Sequence, residues 1–232
     1  MTTPAKPTHG TPDAPLLTVR GETTLEVDPE IARIGITVTA RGRDRRTTLD
    51  DLTRRNTTAL DLIKSYGDAV ENLATGALSI TPELTHRGRG ERIHTYHGTI
   101  HLTADLTDFT TLGELTTRLA DLDLTRVDGP WWELRPDSPT HRQARQQAVQ
   151  AAVQRAHEYA DALGTTVAAL LQLTDTGTQG PRTRSAFDRR TVRMSAAATE
   201  TETAPEPLDL EPRRIRIQAE VSAQFTMIPP TL

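Results

Sequence analysis

Three histidines in one short stretch, His94, His97 and His101, raise the question of a metal site. On a strand, His97 and His101 share one face and His94 takes the other. Two imidazoles four residues apart along a strand sit ~13 Å apart, too far to share one ion. Exposed strand histidines are therefore the better reading, with His86 on the preceding segment the one residue placed to pair with them. Arg87, Arg89 and Arg92, with Gly88 and Gly90, could grip phosphate or RNA. Only Tyr96 supplies an aromatic nearby and Glu91 interrupts the patch, so a solvated hairpin tip is preferred. The arginines from Arg182 to Arg193 are read in the same way.

The remaining chemistry-bearing residues also favour structural roles. Glu22, Asp28 and Glu30 would need a pocket that splits their pKa values to act as an acid/base pair. Asp28 and Glu30 flank Pro29 in what reads as a turn. Ser138 precedes Pro139, with His141 three residues on, and no nucleophile elbow surrounds them, so a helix cap is the expected role. Trp131 and Trp132 must face opposite sides of a strand. Trp132 shares its face with Leu134 and is expected in the core. Trp131 points the other way and is the candidate for an oligomer interface, where aromatic residues are enriched. No catalytic, cofactor-binding or metal-ligating residue is assigned, and no enzymatic activity is expected.

These residues rest on elements that the hydropathy pattern predicts. Leu17, Val19, Leu25 and Val27 suggest a weak strand pair. Ala32, Ile34, Ile36, Val38 and Ala40 alternate with polar residues as one strand. Residues 45–66 switch to a helical stripe of Leu49, Leu52, Ala59, Leu60 and Ile63, broken at Asn56 and stopped at Gly67. Extended segments follow near 76–86 and 92–104. A short helix over 109–122 is capped by Asp108. A strand at 127–134 follows, which Pro130 confines to an edge or bulge. The helix at 139–163 carries Ser138 at its N-cap and Pro139 at its first position. Its stripe is Ala144, Ala148, Ala152, Ala156, Tyr159 and Leu163, and Gly164 ends it. Strands at 168–174 and 214–225 complete the chain. Mixed hairpins and helices predict an α+β fold, with a mixed, largely antiparallel sheet and stacked helices. There is no GxGxxG or Walker loop to suggest a nucleotide fold.

Composition agrees with a folded domain bearing two polar attachments. Leu, Ile, Val and Phe number 48 of 232 residues, close to the lower limit for a globular chain. Forty-five of the 48 fall in residues 16–176 and 208–228, so the polar stretches 1–15 and 177–207 dilute an ordinary core. The expected organisation is a disordered arm at 1–15 and one domain at 16–228 with a flexible loop at 177–207. Net charge is −4, so the chain as a whole does not attract nucleic acid. The absence of cysteine excludes disulfides and thiolate chemistry. No apolar run approaches the ~18 residues of a transmembrane helix. Residues 1–15 lack the apolar region of a signal peptide, so a cytoplasmic protein is expected, with export the alternative if the true start lies upstream. Arg outnumbers Lys 25 to 2, which suggests a GC-rich genome.

Four segments together resemble the SIMPL-domain family, which includes bacterial periplasmic immunogenic antigens and oxidative-stress-defence proteins. The first is LTVRGETTLEVDPEIARIGITV at 17–38, with Gly21, Glu22, Val27, Pro29 and Ala32 in the family's opening pattern. The second is TYHGTIHLTADLTD at 95–108, with Tyr96 and with Gly98 where Ala is common. The third is the strand and Ala-rich helix from Val127 to Gly164. The fourth is RMSAAA at 193–198 before the last strand. The resemblance implies an α+β domain that forms large homo-oligomers and is linked to stress tolerance. It implies no catalytic residues. A homo-oligomeric stress-related or scaffold protein is the expected function, and a small-molecule or peptide-binding module using a sheet–helix cleft is the alternative.

Overall fold

The computed structural model describes residues 10–85, 92–179 and 207–231. Its elements are β1 (Leu16–Val27), β2 (Ile31–Gly42), α1 (Arg45–Lys64), β3 (Val70–Thr85), β4 (Arg92–Leu106), α2 (Phe109–Ala120), β5 (Thr125–Glu133), α3 (Pro139–Ala162), β6 (Val167–Gln179) and β7 (Ile215–Met227). The α+β class holds. The strands form two sheets, ordered β1-β7-β6 and β3-β4-β2-β5, and every ladder among them is antiparallel. The expected parallel component is not found among these strands, for a topological reason. Strands joined through a helix are never neighbours: β4 lies between β2 and β3, β2 lies between β4 and β5, and α3 leads from β5 of one sheet to β6 of the other. Two compact units result. One contains β1, α3, β6 and β7; the other contains β2 to β5, α1, α2 and the segment 207–213.

In the first unit, β1 pairs with β7 from Leu16 opposite Thr226 to Val27 opposite Ile215. The expected weak strand pair is thus one strand of 12 residues, because the well-patterned β7 supplies an unbroken ladder across the polar centre of β1. Ile215, Ile217, Ala219, Val221, Ala223, Phe225 and Met227 of β7 are all buried. α3 begins as the sequence predicts, with Pro139 in the first turn and the Ser138 hydroxyl accepting from the Thr140 N–H at 3.3 Å. Its buried stripe is Ala144, Ala148, Ala152, Ala156 and Ala160. Tyr159 and Leu163, expected on that stripe, are 53% and 39% exposed. The fourfold alanine spacing continues to Ala160, and the small stripe is what meets the sheet. β6 includes Gly177 to Gln179, so it runs into the stretch expected to be loop. Of the two polar attachments, residues 1–9 and 180–206 lie outside the described residues, and Thr11 and Ala14 form an isolated bridge.

In the second unit, α1 and α2 pack on one face of the four-stranded sheet. The core joins Ile34, Ile36 and Val38 of β2 and Leu102 and Leu106 of β4 to Leu52 and Ile63 of α1 and Leu112, Leu115 and Leu119 of α2. Asp44 caps α1, accepting from the N–H groups of Arg46 and Thr47 at 2.9 and 3.0 Å. Leu49, expected on the apolar stripe, is exposed, and Thr48 is buried instead. Thr48 is tolerated because its hydroxyl donates to the Asp44 carbonyl at 2.7 Å. Asp108 caps α2. The segment 207–213 lies on α2: the Leu208 N–H donates to the Thr117 hydroxyl at 3.1 Å, and Leu210 packs on the core.

Candidate functional site

The face of the four-stranded sheet opposite α1 and α2 carries a polar ladder crossing all four strands. Alternation in β2 that buries Ala32, Ile34 and Ile36 turns Arg33, Gly35 and Thr37 to this face. The register sets Arg33 opposite Asp105 of β4 and opposite Trp131 of β5, and sets Asn72 of β3 opposite Asp105. Arg33 forks onto Asp105, with Nε to Oδ1 at 2.6 Å and Nη2 to Oδ2 at 3.1 Å. Its Nη1 reaches Glu133 Oε2 at 2.8 Å, and Asn72 Nδ2 donates to Asp105 Oδ2 at 3.2 Å. The hydrogen bond to Asp105, and less strongly the charge of Glu133, raise the Arg33 pKa against the opposing effect of burial. Asp105 is buried, so the guanidinium is its main charge partner.

Trp131 stands beside this ladder. Its ring lies against Gly35, where a Cβ would fall 3.3 Å from two ring carbons. The chain reaches this position through the cis Gly129–Pro130 bond and a register shift between Arg33 and Gly35. Pro130 therefore occupies the irregular edge position that the sequence predicts. Trp131 faces away from α1 and α2 and is 40% exposed, as a large ring on an edge strand. Trp132 takes the opposite face, packs on the core, and meets Phe109 edge-on with centroids 5.0 Å apart. The resulting patch is a flat indole next to an ion cluster of one arginine and two carboxylates. It is suited to stacking and apolar contact rather than to proton transfer.

The other sequence candidates disperse. His94 and His101 are exposed and His97 is half-buried; the His101 Nδ1 lies 3.0 Å from the Thr37 hydroxyl. Among the described residues no three His, Asp or Glu side chains are grouped to hold a metal ion. His86, Arg87 and Arg89 lie outside those residues, as do the arginines at 182–193. Glu22 is exposed on β1, Asp28 is exposed, and the Glu30 N–H donates to the Glu133 carbonyl at 3.0 Å. Among the residues of the family pattern, Gly21, Pro29 and Ala32 are buried and Val27 and Tyr96 are half-buried. Gly21 has a packing reason: a Cβ there would lie 2.0 Å from the Ala148 carbonyl oxygen of α3. Ser138 and His141 border a polar cleft of about 350 Å³ with Pro136, Asp137, Arg142 and Arg145. This cleft lacks the apolar lining expected of a sheet–helix ligand pocket.

The Arg33–Asp105–Asn72–Glu133 ladder was missed by sequence reasoning. Its members are far apart in the chain, and only the pairing register brings them together. The signal that could have found it is the shared facing of Arg33, Asp105 and Trp131, each offset by one from an apolar neighbour.

Residues 17–225 match the family model described as "SIMPL: Protein of unknown function (DUF541)". No curated protein matches the chain.

Proposed function

Because the chain belongs to the SIMPL family, whose description assigns no activity, we propose a function from its surface: a non-enzymatic, homo-oligomeric protein with a stress-related or scaffold role. The observation that carries this reading is Trp131, an indole 40% exposed at the end of edge strand β5. Its inner surface rests on Gly35 and its flank lies by the Arg33–Asp105 pair, so little ordering is needed for it to receive a partner. Tryptophan in such a position is the residue type that dominates protein–protein contacts. The link to stress rests on the resemblance that the four segments together carry to the family. The proposed compartment is the cytoplasm, which cell fractionation separates from export. Among the described residues no helix is long and apolar enough to cross a membrane.

Native mass spectrometry of the full chain tests the proposal. The expected result is a homo-oligomer for the unmodified protein and a smaller assembly for Trp131→Ala, with unchanged far-UV circular dichroism. A ligand-free monomer overturns it. A monomer carrying added mass would instead favour the binding-module alternative.

A further inference from the structure

The ion cluster beside Trp131 does not balance its charge. One guanidinium, Arg33, serves two carboxylates: it forks onto Asp105 and reaches Glu133 at 2.8 Å. Asn72 contributes only a neutral amide. Arg126 and Asp128, on the same strand as Trp131, pair with each other at 2.6 Å. One negative charge is left over. Asp105 is 6% exposed and closed by the fork, so the surplus reaches the surface at Glu133, whose side chain is 22% exposed. Glu133 is two residues from Trp131 on β5 and shares its face. Its backbone is fixed by the Glu30 N–H, which donates to its carbonyl at 3.0 Å. The indole rests on Gly35 and leaves its outer face open. An open indole face next to a surplus carboxylate is the chemistry that receives a cation. A guanidinium suits it better than an ammonium, because it stacks flat on the ring and still offers N–H groups to the carboxylate.

We infer that the Trp131–Glu133 site receives an arginine from the turn into α1 of a second copy of this chain. The inference rests on the homo-oligomeric reading and names what Trp131 meets. That turn holds Arg41, Arg43, Arg45 and Arg46. Arg41 is taken by Glu83. Arg43, Arg45 and Arg46 are exposed, and none forms an ion pair among the described residues. Asp44 lies between them, but its carboxylate is engaged as the helix cap by the Arg46 and Thr47 N–H groups. α1 has no acidic residue in its first turn, so these cations stand at the positive end of the helix dipole, where an incoming carboxylate is favoured. Leu49, one turn beyond Arg45 on the same side of α1, is 40% exposed and offers apolar contact to the ring. The two halves do not meet within one chain, because α1 covers one face of the four-stranded sheet and Trp131 stands on the other. A second copy carries the complementary charge. The contact joins unlike surfaces and leaves each copy one free half, so it repeats around a ring or along a filament.

Native mass spectrometry of the full chain, with charge exchanged between the two halves, is the test. Glu133→Gln keeps the side chain's size and leaves the Arg33–Asp105 fork in place; it is expected to raise the concentration needed for assembly roughly tenfold. Glu133→Arg in one protein, and Arg43→Glu, Arg45→Glu and Arg46→Glu together in another, are each expected to give monomers. Mixing these two proteins in equal amounts is expected to restore assembly. The altered site of one then faces the altered turn of the other, and the unaltered halves face each other. Misfolded variants would not give that result. If the unmodified chain is an oligomer but Glu133→Gln leaves its assembly unchanged, or mixing fails to restore it, Trp131 receives something else and the homo-oligomeric reading stands. If the unmodified chain is a monomer, both fall.

Discussion

Gly21→Ala is expected to destabilise the β1–α3 packing severely, although it adds one methyl group. The new Cβ would lie 2.0 Å from the Ala148 carbonyl oxygen, 2.5 Å from the Ala152 nitrogen and 2.7 Å from the Ala152 Cβ. A relaxed carbon–oxygen contact is about 3.3 Å, so α3 must retreat from β1 by roughly 1.3 Å. A gap of 0.5–1 Å already forfeits about a quarter to a half of each dispersion contact. Ala148, Ala152 and Ala156, all fully buried, would lose contacts together. Overpacking ordinarily costs about 1–3 kcal/mol, and here the obstacle is helix backbone that cannot change rotamer. Replacing glycine returns about 0.4–1 kcal/mol through the unfolded chain. With the overpacking cost at the top of its range, about 3 kcal/mol, the net expectation is a loss of about 2–2.6 kcal/mol.

Urea titration followed by far-UV circular dichroism is the suitable assay. α3, at 24 residues the longest helix described, contributes the largest single-helix share of that signal. Tryptophan fluorescence would report the other unit, which holds both Trp131 and Trp132. Gly67→Ala is the control. Nothing lies within 4 Å of its added Cβ, but φ is +54°, so its cost is the left-handed backbone alone, about 1–2 kcal/mol. A Gly21→Ala protein within about 0.5 kcal/mol of the unmodified chain, or less damaged than Gly67→Ala, would refute the close-approach argument.

Further expectations concern the second unit. Arg33→Leu leaves the buried Asp105 with the Asn72 amide as its remaining side-chain partner and should cost about 3 kcal/mol, at the low end for a broken buried pair because Arg33 is itself partly exposed. In a double-mutant cycle, adding Asp105→Leu should recover part of that loss, and strict additivity would show that the pair is not coupled. Asn56 Oδ1 is buried without a hydrogen bond, so Asn56→Leu should raise the urea midpoint by the equivalent of about 1 kcal/mol. The Asp51 carboxyl is held below the usual aspartate value of ~3.9, first by the Arg55 Nε hydrogen bond at 2.8 Å and then by Arg54. Its stabilising contribution is therefore full above the unfolded value and lost as pH falls through the lower folded one. Carboxyl NMR should show that depressed midpoint, and Arg55→Gln should move it upward.

The sequence made the elements legible wherever one local cause dominates. Asp108 and Ser138 cap α2 and α3, Gly164 ends α3 at φ +66°, and β7 alternates without a break. Readings failed where a neighbour in space decided the outcome. β1 looks like two weak strands until its pairing with β7 is known. By hydropathy Leu49 is a better core residue than Thr48 until the Asp44 carbonyl is in place to satisfy the hydroxyl. The opposed facing of Trp131 and Trp132 was legible from alternation alone. The polar ladder beside Trp131 was not, because Arg33 and Asp105 are 72 residues apart and meet through the register of β2 on β4.

The low content of large apolar residues takes on a physical meaning in this light. Close packing can come from bulky side chains filling space or from backbones approaching until little space remains. This chain relies on the second at several places. Alanines alone line the buried stripe of α3, Gly21 admits that helix to β1, Gly35 admits the Trp131 ring, and Gly113 admits the Leu208 carbonyl, where a Cβ would fall only 2.0 Å away. Such contacts are sensitive in an unusual direction. In a bulky core, truncation leaves a cavity and is the damaging change. On the α3 stripe, Ala152→Gly removes one methyl and a helix preference of about 1 kcal/mol, whereas Ala152→Leu must drive the helix off the sheet. Ala152→Leu should therefore be the more damaging of the two by urea titration. The reverse order would mean that α3 is held by something other than close approach.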